Sequence, residues 1–114
     1  MSTSPDTAVK AIDDLLHLAL AQGASDVHFE SGEDFFRARF RIDGLLRMAG
    51  SPPIALRDAM VSRLKVLARM DIAEKRVPQD GRIQYPHGTD IIDLRVSSLP
   101  TLHGEKIVVF SLLD

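Results

Sequence analysis

Apolar residues recur every three to four positions in two segments of the chain, and this spacing predicts two helices. The first helix is predicted from Ala8 to Gln22, after a frayed polar tail that ends at Thr7. The second is predicted from Leu56 to Met70, after a chain break at residues 50–53. The solvent-facing side of the second helix is predicted to carry Arg57, Arg63, Lys65 and Arg69.

Alternation of apolar and polar residues predicts six strands, three after each helix. It is clearest in residues 36–42, where Asp43-Gly44 follows as a two-residue hairpin signal. The other strands are predicted at residues 25–31, 45–48, 82–85, 92–97 and 105–113, with a loop at 98–104. Because no helix joins successive strands within either group, the pattern predicts an α+β domain with two helices packed on a mainly antiparallel sheet.

The composition is that of an ordinary globular domain, and it excludes several kinds of site. The 114 residues are 45% hydrophobic and 26% charged, as expected of one domain with its own core. There is no cysteine, so disulfides and thiolate metal sites are excluded. No apolar run approaches the ~20 residues that a membrane-spanning helix needs.

The net charge of -2 conceals an uneven distribution of charge along the chain. Residues 1–36 contain one basic and seven acidic residues, whereas residues 37–82 contain eleven basic and five acidic residues. Attraction of the whole molecule to nucleic acid is therefore not expected, but a local basic surface is.

The chain contains none of the common catalytic or phosphate-loop motifs, such as GxxxxGK(S/T), GxGxxG, GxSxG and HExxH. Its four histidines are too scattered in sequence to predict a metal site, and surface or loop histidines are the alternative. Asp26 and Glu30 share a strand face but lie roughly 13 Å apart, which is too far for a glycosidase-type pair.

Two groups of arginines are stronger candidates for binding. Arg37, Arg39 and Arg41 share one strand face. Either acidic residues of neighbouring strands neutralise them, or they form a docking surface for an acidic partner or a phosphate. Arg82 and Arg95 are predicted on the outward faces of neighbouring strands, and guanidinium groups suit bidentate contact with phosphate oxygens.

Five stretches of the sequence resemble the N-terminal module of the secretion ATPase superfamily, especially the type II secretion and type IV pilus assembly ATPases. They are ASDVHFE (24–30), FRIDGLL (40–46), LKVLARMDIAEKRVPQDGRI (64–83), DLRVSSLPTLHGEKIV (93–108) and the closing LLD. The resemblance covers about Ala21 to Asp114. One position departs from the pattern, because Ser111 stands where family members commonly have an arginine.

The resemblance implies a division of the chain into a tail with the first helix at residues 1–22 and a PAS-like module at residues 23–114. In the family this module precedes a RecA-like domain that carries the phosphate loop. The chain contains no such loop. The resemblance therefore implies part of an ATPase that is inactive without the RecA-like domain.

The resemblance also implies a binding site for ATP with Mg²⁺ that the RecA-like domain completes. Arg82 and Arg95 would reach the phosphates, and Arg76 is a weaker candidate for the same role. Gln79, Asp80 and Gly81 would shape the turn that presents Arg82, and no residue of the chain is expected to bind a metal.

The implied function is nucleotide sensing and interdomain closing in a hexameric motor ATPase for protein export or pilus assembly. The implied partners are the RecA-like domain of the same or an adjacent subunit and inner-membrane platform proteins. The protein would be cytoplasmic and would be held at the inner membrane by these partners. Nucleic acid is not expected among the partners. Two alternatives are a freestanding PAS-like protein-interaction or ligand-binding module, marked by an apolar cavity, and a nucleic-acid binder, marked by steep salt dependence.

Overall fold

A computed structural model describes residues 5–110 and Leu112 of the chain. The described residues form two α-helices and six β-strands, in the order helix, three strands, helix, three strands. The elements are α1 (Pro5–Ala21), β1 (Asp26–Ser31), β2 (Phe36–Ile42), β3 (Leu45–Gly50), α2 (Arg57–Leu67), β4 (Gln79–His87), β5 (Asp90–Thr101) and β6 (Gly104–Phe110). A 3-10 turn (Ile54–Leu56) leads into α2.

The six strands form one sheet in the order β3-β2-β1-β6-β5-β4, and every neighbouring pair is antiparallel. β1 lies between β2 and β6, so the first and second groups of three strands meet at the centre of the sheet. The predicted α+β class, with two helices on a mainly antiparallel sheet of about six strands, is confirmed. The division of the chain at residue 22 stays a prediction.

The two helices begin and end at different residues from those predicted. α1 begins at Pro5, so the predicted frayed tail is wrong for residues 5–7, and Met1–Ser4 lie outside the described residues. Proline suits the first turn of a helix because an N–H group there has no acceptor within the helix. α2 occupies only residues 57–67 of the range predicted for it.

The predicted loop at residues 98–104 is wrong. β5 continues to Thr101, which lies opposite Gly104, so the connection to β6 is only two residues long. Pro100 and the small polar residues around it hide the alternation in the sequence, yet Ser98 is fully buried on the core side. β6 is described as far as Phe110, and Ser111, Leu113 and Asp114 lie outside the described residues.

The helices cover one face of the sheet and form the core with it. Leu16 of α1 and Met60 and Leu64 of α2 are fully buried. They face the inward residues of the strands, which include Val27, Phe29, Phe36, Phe40, Leu94, Val96, Ile107 and Val109. Burial of each large apolar side chain stabilises the fold by about 1.5–3 kcal/mol. In the described residues, neither helix is both long enough and apolar enough to cross a lipid bilayer.

The face of the sheet that the helices do not cover carries the outward residues of the strands, and we call it the open face. Because the strands pair in register, its side chains form rows across the sheet. One row crosses all six strands through Leu46, Arg41, Asp26, Phe110, Arg95 and Arg82. The row thereby brings residues of β1–β3 beside residues of β4–β6, which lie far from them in the sequence.

The prediction that Lys65 faces solvent is wrong, since its side chain is only 1% exposed. Its ammonium nitrogen lies 2.9 Å from Oε2 of Glu105, whose side chain is 4% exposed. Lys65 follows the buried Leu64 in α2, on the side of the helix that approaches β6. A lysine is rarely buried unless its charge is paired, and Glu105 supplies that pairing.

Replacing Glu105 with alanine should lower the free energy of unfolding by about 3–5 kcal/mol, because the Lys65 ammonium is left buried without its counter-charge. Urea unfolding followed by circular dichroism at pH 7 measures this loss. Asp14→Ala is the control, since it breaks the exposed Lys10–Asp14 ion pair and should cost less than about 1 kcal/mol. Equal losses in the two variants would contradict the prediction.

Candidate functional site

Arg82 and Arg95 lie directly opposite each other in the β4–β5 hairpin. Both side chains are exposed on the open face, as the alternation predicts. They line an open concavity of about 400 Å³, together with Asp80, Gly81, Val96 and Phe110. The structure therefore joins the two arginines that were predicted as the main site residues.

The two arginines differ in their acidic partners. Arg82 lies 3.5 Å from Asp93, whose carboxylate also accepts a hydrogen bond from the Gln84 amide. Arg95 makes no ion pair within the described part of the chain. Like charges directly opposite each other on neighbouring strands repel. Arg95 thus has no acidic partner among the described residues, and Arg82 is held only by an exposed, solvent-screened pair.

The predicted turn before Arg82 is wrong, because Gln79, Asp80 and Gly81 form the start of β4. Each has a structural contact there. The Gln79 side chain bonds the backbone of the preceding segment, and Asp80 accepts a 2.7 Å hydrogen bond from the Ser97 hydroxyl. A Cβ atom on Gly81 would lie 2.3 Å from the Ala68 carbonyl oxygen, so only glycine allows β4 to approach α2 this closely.

Arg76, the weaker candidate, does not line the concavity beside Arg82 and Arg95. It lies in the segment between α2 and β4, where its side chain is 88% exposed. Its Nε and Nη2 atoms lie 3.2 Å from the two carboxylate oxygens of Glu74. A role for Arg76 in binding phosphate stays a prediction.

The arginine row on β2 finds acidic partners on β1, which is the first of the two alternatives drawn from the sequence. Glu30 accepts hydrogen bonds of 2.8 Å from both Arg37 and Arg39, and Lys106 of β6 lies 3.4 Å away. Asp26 lies 3.3 Å from Arg41. Two carboxylates thus share four cations, and the β2 side of the open face keeps a local positive charge.

These contacts control the ionisation of the two β1 carboxylates. Burial alone would raise the pKa of Glu30, but the hydrogen bonds and charges of Arg39 and Arg37 outweigh it and lower the pKa to about 2. Burial likewise opposes ionisation of Asp26, yet hydrogen bonds from Ser25 and His28 and the nearby positive charges leave its pKa lowered. Both groups are therefore carboxylates at neutral pH.

The described residues contain no cluster of three or more histidine or acidic side chains that could hold a metal ion. His28 lies on the open face and bonds Asp26 through Nε2. His17 of α1 instead lies 2.9 Å from the Tyr85 hydroxyl, on the helix side of the sheet. These two histidines therefore belong to separate structural contacts on opposite faces of the sheet.

Phe110 is a member of the concavity that the sequence analysis did not select. Alternation within β6 predicts that the Phe110 side chain lies on the open face, because it shares a face with Lys106 and Val108, opposite Ile107 and Val109. What the sequence does not give is its pairing partner, since Arg95 lies fifteen positions earlier in the chain. Ser111, the departure from the family pattern, lies outside the described residues.

Comparison with known proteins identifies the family. Residues 2–113 match the model for the Type II/IV secretion system protein family. The chain belongs to this family. It is similar to the Type IV pilus assembly ATPase PilB of Acinetobacter baylyi, with 54% identity over 102 residues. It is also similar to the Type II secretion system ATPase E of Vibrio cholerae, with 49% identity over 106 residues.

The family matches cover almost all of this chain but a small part of each relative. The two alignments cover 89% and 93% of the chain, against 18% and 21% of the relatives. The Type IV pilus assembly ATPase PilB of Myxococcus xanthus is 48% identical over an alignment of 117 positions, which covers 100% of the chain and 20% of that relative. The chain thus spans about a fifth of the length of the curated relatives it matches.

The Glu30 cluster predicts a loss of stability in acid. A carboxylate whose folded-state pKa is about 2 stabilises the fold above its unfolded pKa near 4.5, and this contribution is lost as the pH falls through about 2. The free energy of unfolding should therefore drop between pH 5 and pH 2, with on the order of 2 kcal/mol due to Glu30. Urea unfolding at several pH values measures it.

Glu30→Gln should flatten this acid dependence, because its amide does not titrate. Glu33→Gln is the matched control, since Glu33 is exposed in the turn after β1 and should leave the profile unchanged. A Glu30→Gln protein with the same pH profile as the parent would show that the cluster does not control acid stability.

Proposed function

We propose that this chain is the nucleotide-sensing and interdomain-closing module of a hexameric motor ATPase that powers protein export or pilus assembly. The family membership supports this, and the relatives are named as ATPases of type II secretion and type IV pilus assembly. In this proposal a RecA-like domain of the complete protein binds ATP and Mg²⁺ and carries out hydrolysis. The module contributes charge to the phosphates.

The observation that carries the proposal is the facing pair of Arg82 and Arg95. Their mutual repulsion is relieved when an anion binds across them. Asp80 also lines the concavity, but it accepts a hydrogen bond from Ser97 and forms no ion pair with either arginine in the described structure. Guanidinium groups remain charged at all relevant pH values and match phosphate oxygens with two parallel hydrogen bonds. A triphosphate held by another domain fits this chemistry.

The end of β6 supports the same assignment. Phe110 pairs with Arg95 and lines the same concavity, so any chain that continues beyond β6 begins close to both arginines. We propose that the RecA-like domain of the same or an adjacent subunit covers the concavity when ATP is bound. Arginines supplied in this way stabilise transition-state charge and can raise turnover by about 10³–10⁵. Arg76 would be a more distant third contributor.

The module would move as nucleotide binds and leaves. ATP would hold it closed against the RecA-like domain through the two arginines, and loss of the γ-phosphate would release it. In a homo-hexamer such movements displace neighbouring subunits and inner-membrane platform proteins bound to them. The protein would then act in the cytoplasm, at the inner membrane through these partners.

One observation favours a second candidate, a freestanding PAS-like interaction or ligand-binding module. A concavity of about 360 Å³ lies between α1, α2 and β4 and is lined by Val9, Ile12, His17, Arg63, Leu67 and Tyr85, among others. This volume is at the lower end of the range for small-molecule sites, about 300–1,000 Å³. Burial and the nearby Asp13 raise the pKa of Tyr85 to about 12, so its hydroxyl remains a hydrogen-bond donor.

Replacing Arg95 with alanine should reduce ATP turnover of the complete ATPase at least tenfold, because charge stabilisation at the phosphates is lost. The same change should alter the stability of this domain by no more than about 0.5 kcal/mol, since Arg95 is exposed and has no acidic partner in the described residues. Arg82→Ala should behave likewise. Steady-state ATPase assays and thermal melts measure the two effects.

Arg37→Ala is the matched control for these variants. It removes an arginine from the same face of the sheet, but one already paired with Glu30, and should affect turnover much less. Unchanged turnover in the Arg95 and Arg82 variants would contradict the phosphate role. Unfolding of the Arg95 variant would instead assign that arginine to stability.

This chain alone should hydrolyse ATP no faster than the buffer background, because its arginines supply charge without a phosphate loop. Release of inorganic phosphate from purified protein, with and without Mg²⁺, measures this rate. The control is Arg82→Ala with Arg95→Ala, which removes both proposed phosphate contacts. Turnover that persists through purification and falls in the double variant would contradict a purely accessory role.

A further inference from the structure

Residues 71–78, the later part of the segment between α2 and β4, have no helix or strand of their own, and we call them the connector. It carries Arg76 and leads into β4 three residues before Arg82. Its position therefore affects both arginines. Side chains of α2 and β4 bond its backbone directly, and a side chain of β6 acts through the one from α2.

Two of these side chains converge on one carbonyl group of the connector. The Glu74 carbonyl oxygen accepts a 2.7 Å hydrogen bond from Nζ of Lys65 in α2 and a 3.2 Å hydrogen bond from Nε2 of Gln79 in β4. Gln79 also bonds both backbone groups of Asp71, accepting from the N–H and donating to the C=O, each at 2.9 Å. The two ends of the connector are thus tied to each other and to α2.

The third side chain, Glu105 at the start of β6, acts through Lys65. Its two carboxylate oxygens lie 3.2 and 2.9 Å from the Lys65 ammonium nitrogen, and both side chains are almost fully buried. An ammonium group has three N–H donors, and here they face the two Glu105 oxygens and the Glu74 carbonyl. Glu105 therefore fixes the direction in which Lys65 reaches the connector.

We propose that Glu105 and Lys65 are positioning residues that set the place of the connector, and through it of Arg76 and the Arg82 end of β4. The Glu74 carbonyl receives the anchor, while the Glu74 carboxylate holds the Arg76 backbone N–H at 2.9 Å and its guanidinium. A shift of the connector therefore moves Arg76 directly. The assignment rests on the proposed function, since it matters for ATP only if these arginines meet the phosphates.

The contact between Gly81 and Ala68 completes this arrangement. β4 lies against the end of α2 with no room for a Cβ atom, so the strand before Arg82 has little freedom to slide along the helix. The connector is the remaining adjustable part between these two elements. Anchoring it from β6 links the β5–β6 hairpin to the arginine-bearing strand.

The test replaces the buried ion pair with apolar residues of similar volume, Lys65→Met with Glu105→Leu. Such a replacement commonly preserves or increases stability, whereas removal of one partner leaves a buried charge. The double variant should therefore fold while losing the anchor on Glu74. The control is Lys10→Ala with Asp14→Ala, which removes an exposed ion pair from α1.

The first readout is NMR relaxation of this chain. Backbone order parameters of residues 72–77 should fall from about 0.85 to below about 0.6 in the double variant, while those of β1 and β6 stay near 0.85. The control variant should match the parent throughout. Unchanged order parameters in the connector of a folded double variant would overturn the proposal, and a general loss of order would assign the pair to stability alone.

The second readout is the complete ATPase. The double variant should raise the KM for ATP at least fivefold with a smaller change in kcat, because the positioning of a phosphate-binding group is lost. Arg76→Ala should have much less effect in the double variant than in the parent, since residues acting through one element are not additive. A loosened connector with an unchanged KM would overturn the link to ATP.

The two proposals fail in different ways. If Arg82→Ala and Arg95→Ala leave turnover unchanged, the phosphate-binding function is contradicted, whatever the connector does. If those variants lose turnover but the connector keeps its order in the Lys65 and Glu105 double variant, the function stands and the positioning role is overturned.

Discussion

Five of the six strands bury alternate side chains beneath only two helices, and this one-sided burial governs the other features of the domain. Because strand side chains alternate, each inward apolar residue commits its neighbours to the open face. Antiparallel pairing then fixes which of those neighbours lie side by side. A single row joins Arg41 of β2, Asp26 of β1 and the Arg82–Arg95 pair, although the sequence separates them by up to 69 positions. The chemistry of the domain follows from this register.

The two halves of the open face balance charge differently. On the β2 side, Glu30 and Asp26 come from the adjacent strand, and their surroundings keep both pKa values lowered despite burial. The lowering comes from Arg39 and Arg37 at Glu30, and mainly from Ser25 and His28 at Asp26. On the β4 side, Arg95 lies opposite Arg82 of β4 and opposite Phe110 of β6. In the first region each arginine has a carboxylate partner, whereas in the second Arg95 has none among the described residues. This contrast distinguishes the arginine row from the arginine pair as candidate sites.

The buried Lys65–Glu105 pair adds a polar constraint to a core that is otherwise apolar. A buried ion pair often adds no net stability over an apolar pair of similar volume, and the role proposed for this pair is geometric. Here the ammonium group also satisfies a carbonyl of a segment that has no regular structure. Several residues of the family-like stretches, including Asp71, Glu74, Gln79 and Gly81, hold this region together. In the described structure these residues make contacts within the protein that hold the connector and the start of β4 in place.

The sequence by itself determined the class of fold, the strand faces and the family. Periods of 3.6 and 2 are local properties, so both helices, the alternation in β2 and the outward direction of Arg82 and Arg95 could be predicted. The tertiary structure alone decided which surfaces meet. Lys65 looked like a solvent-facing basic residue because Glu105 is 40 positions away, and residues 98–104 looked like a loop because their partner is β6. Gln79 to Gly81 looked like a turn for the same reason: long-range pairing overrides local preference where a strand, a buried charge or a close backbone contact supplies the larger free energy.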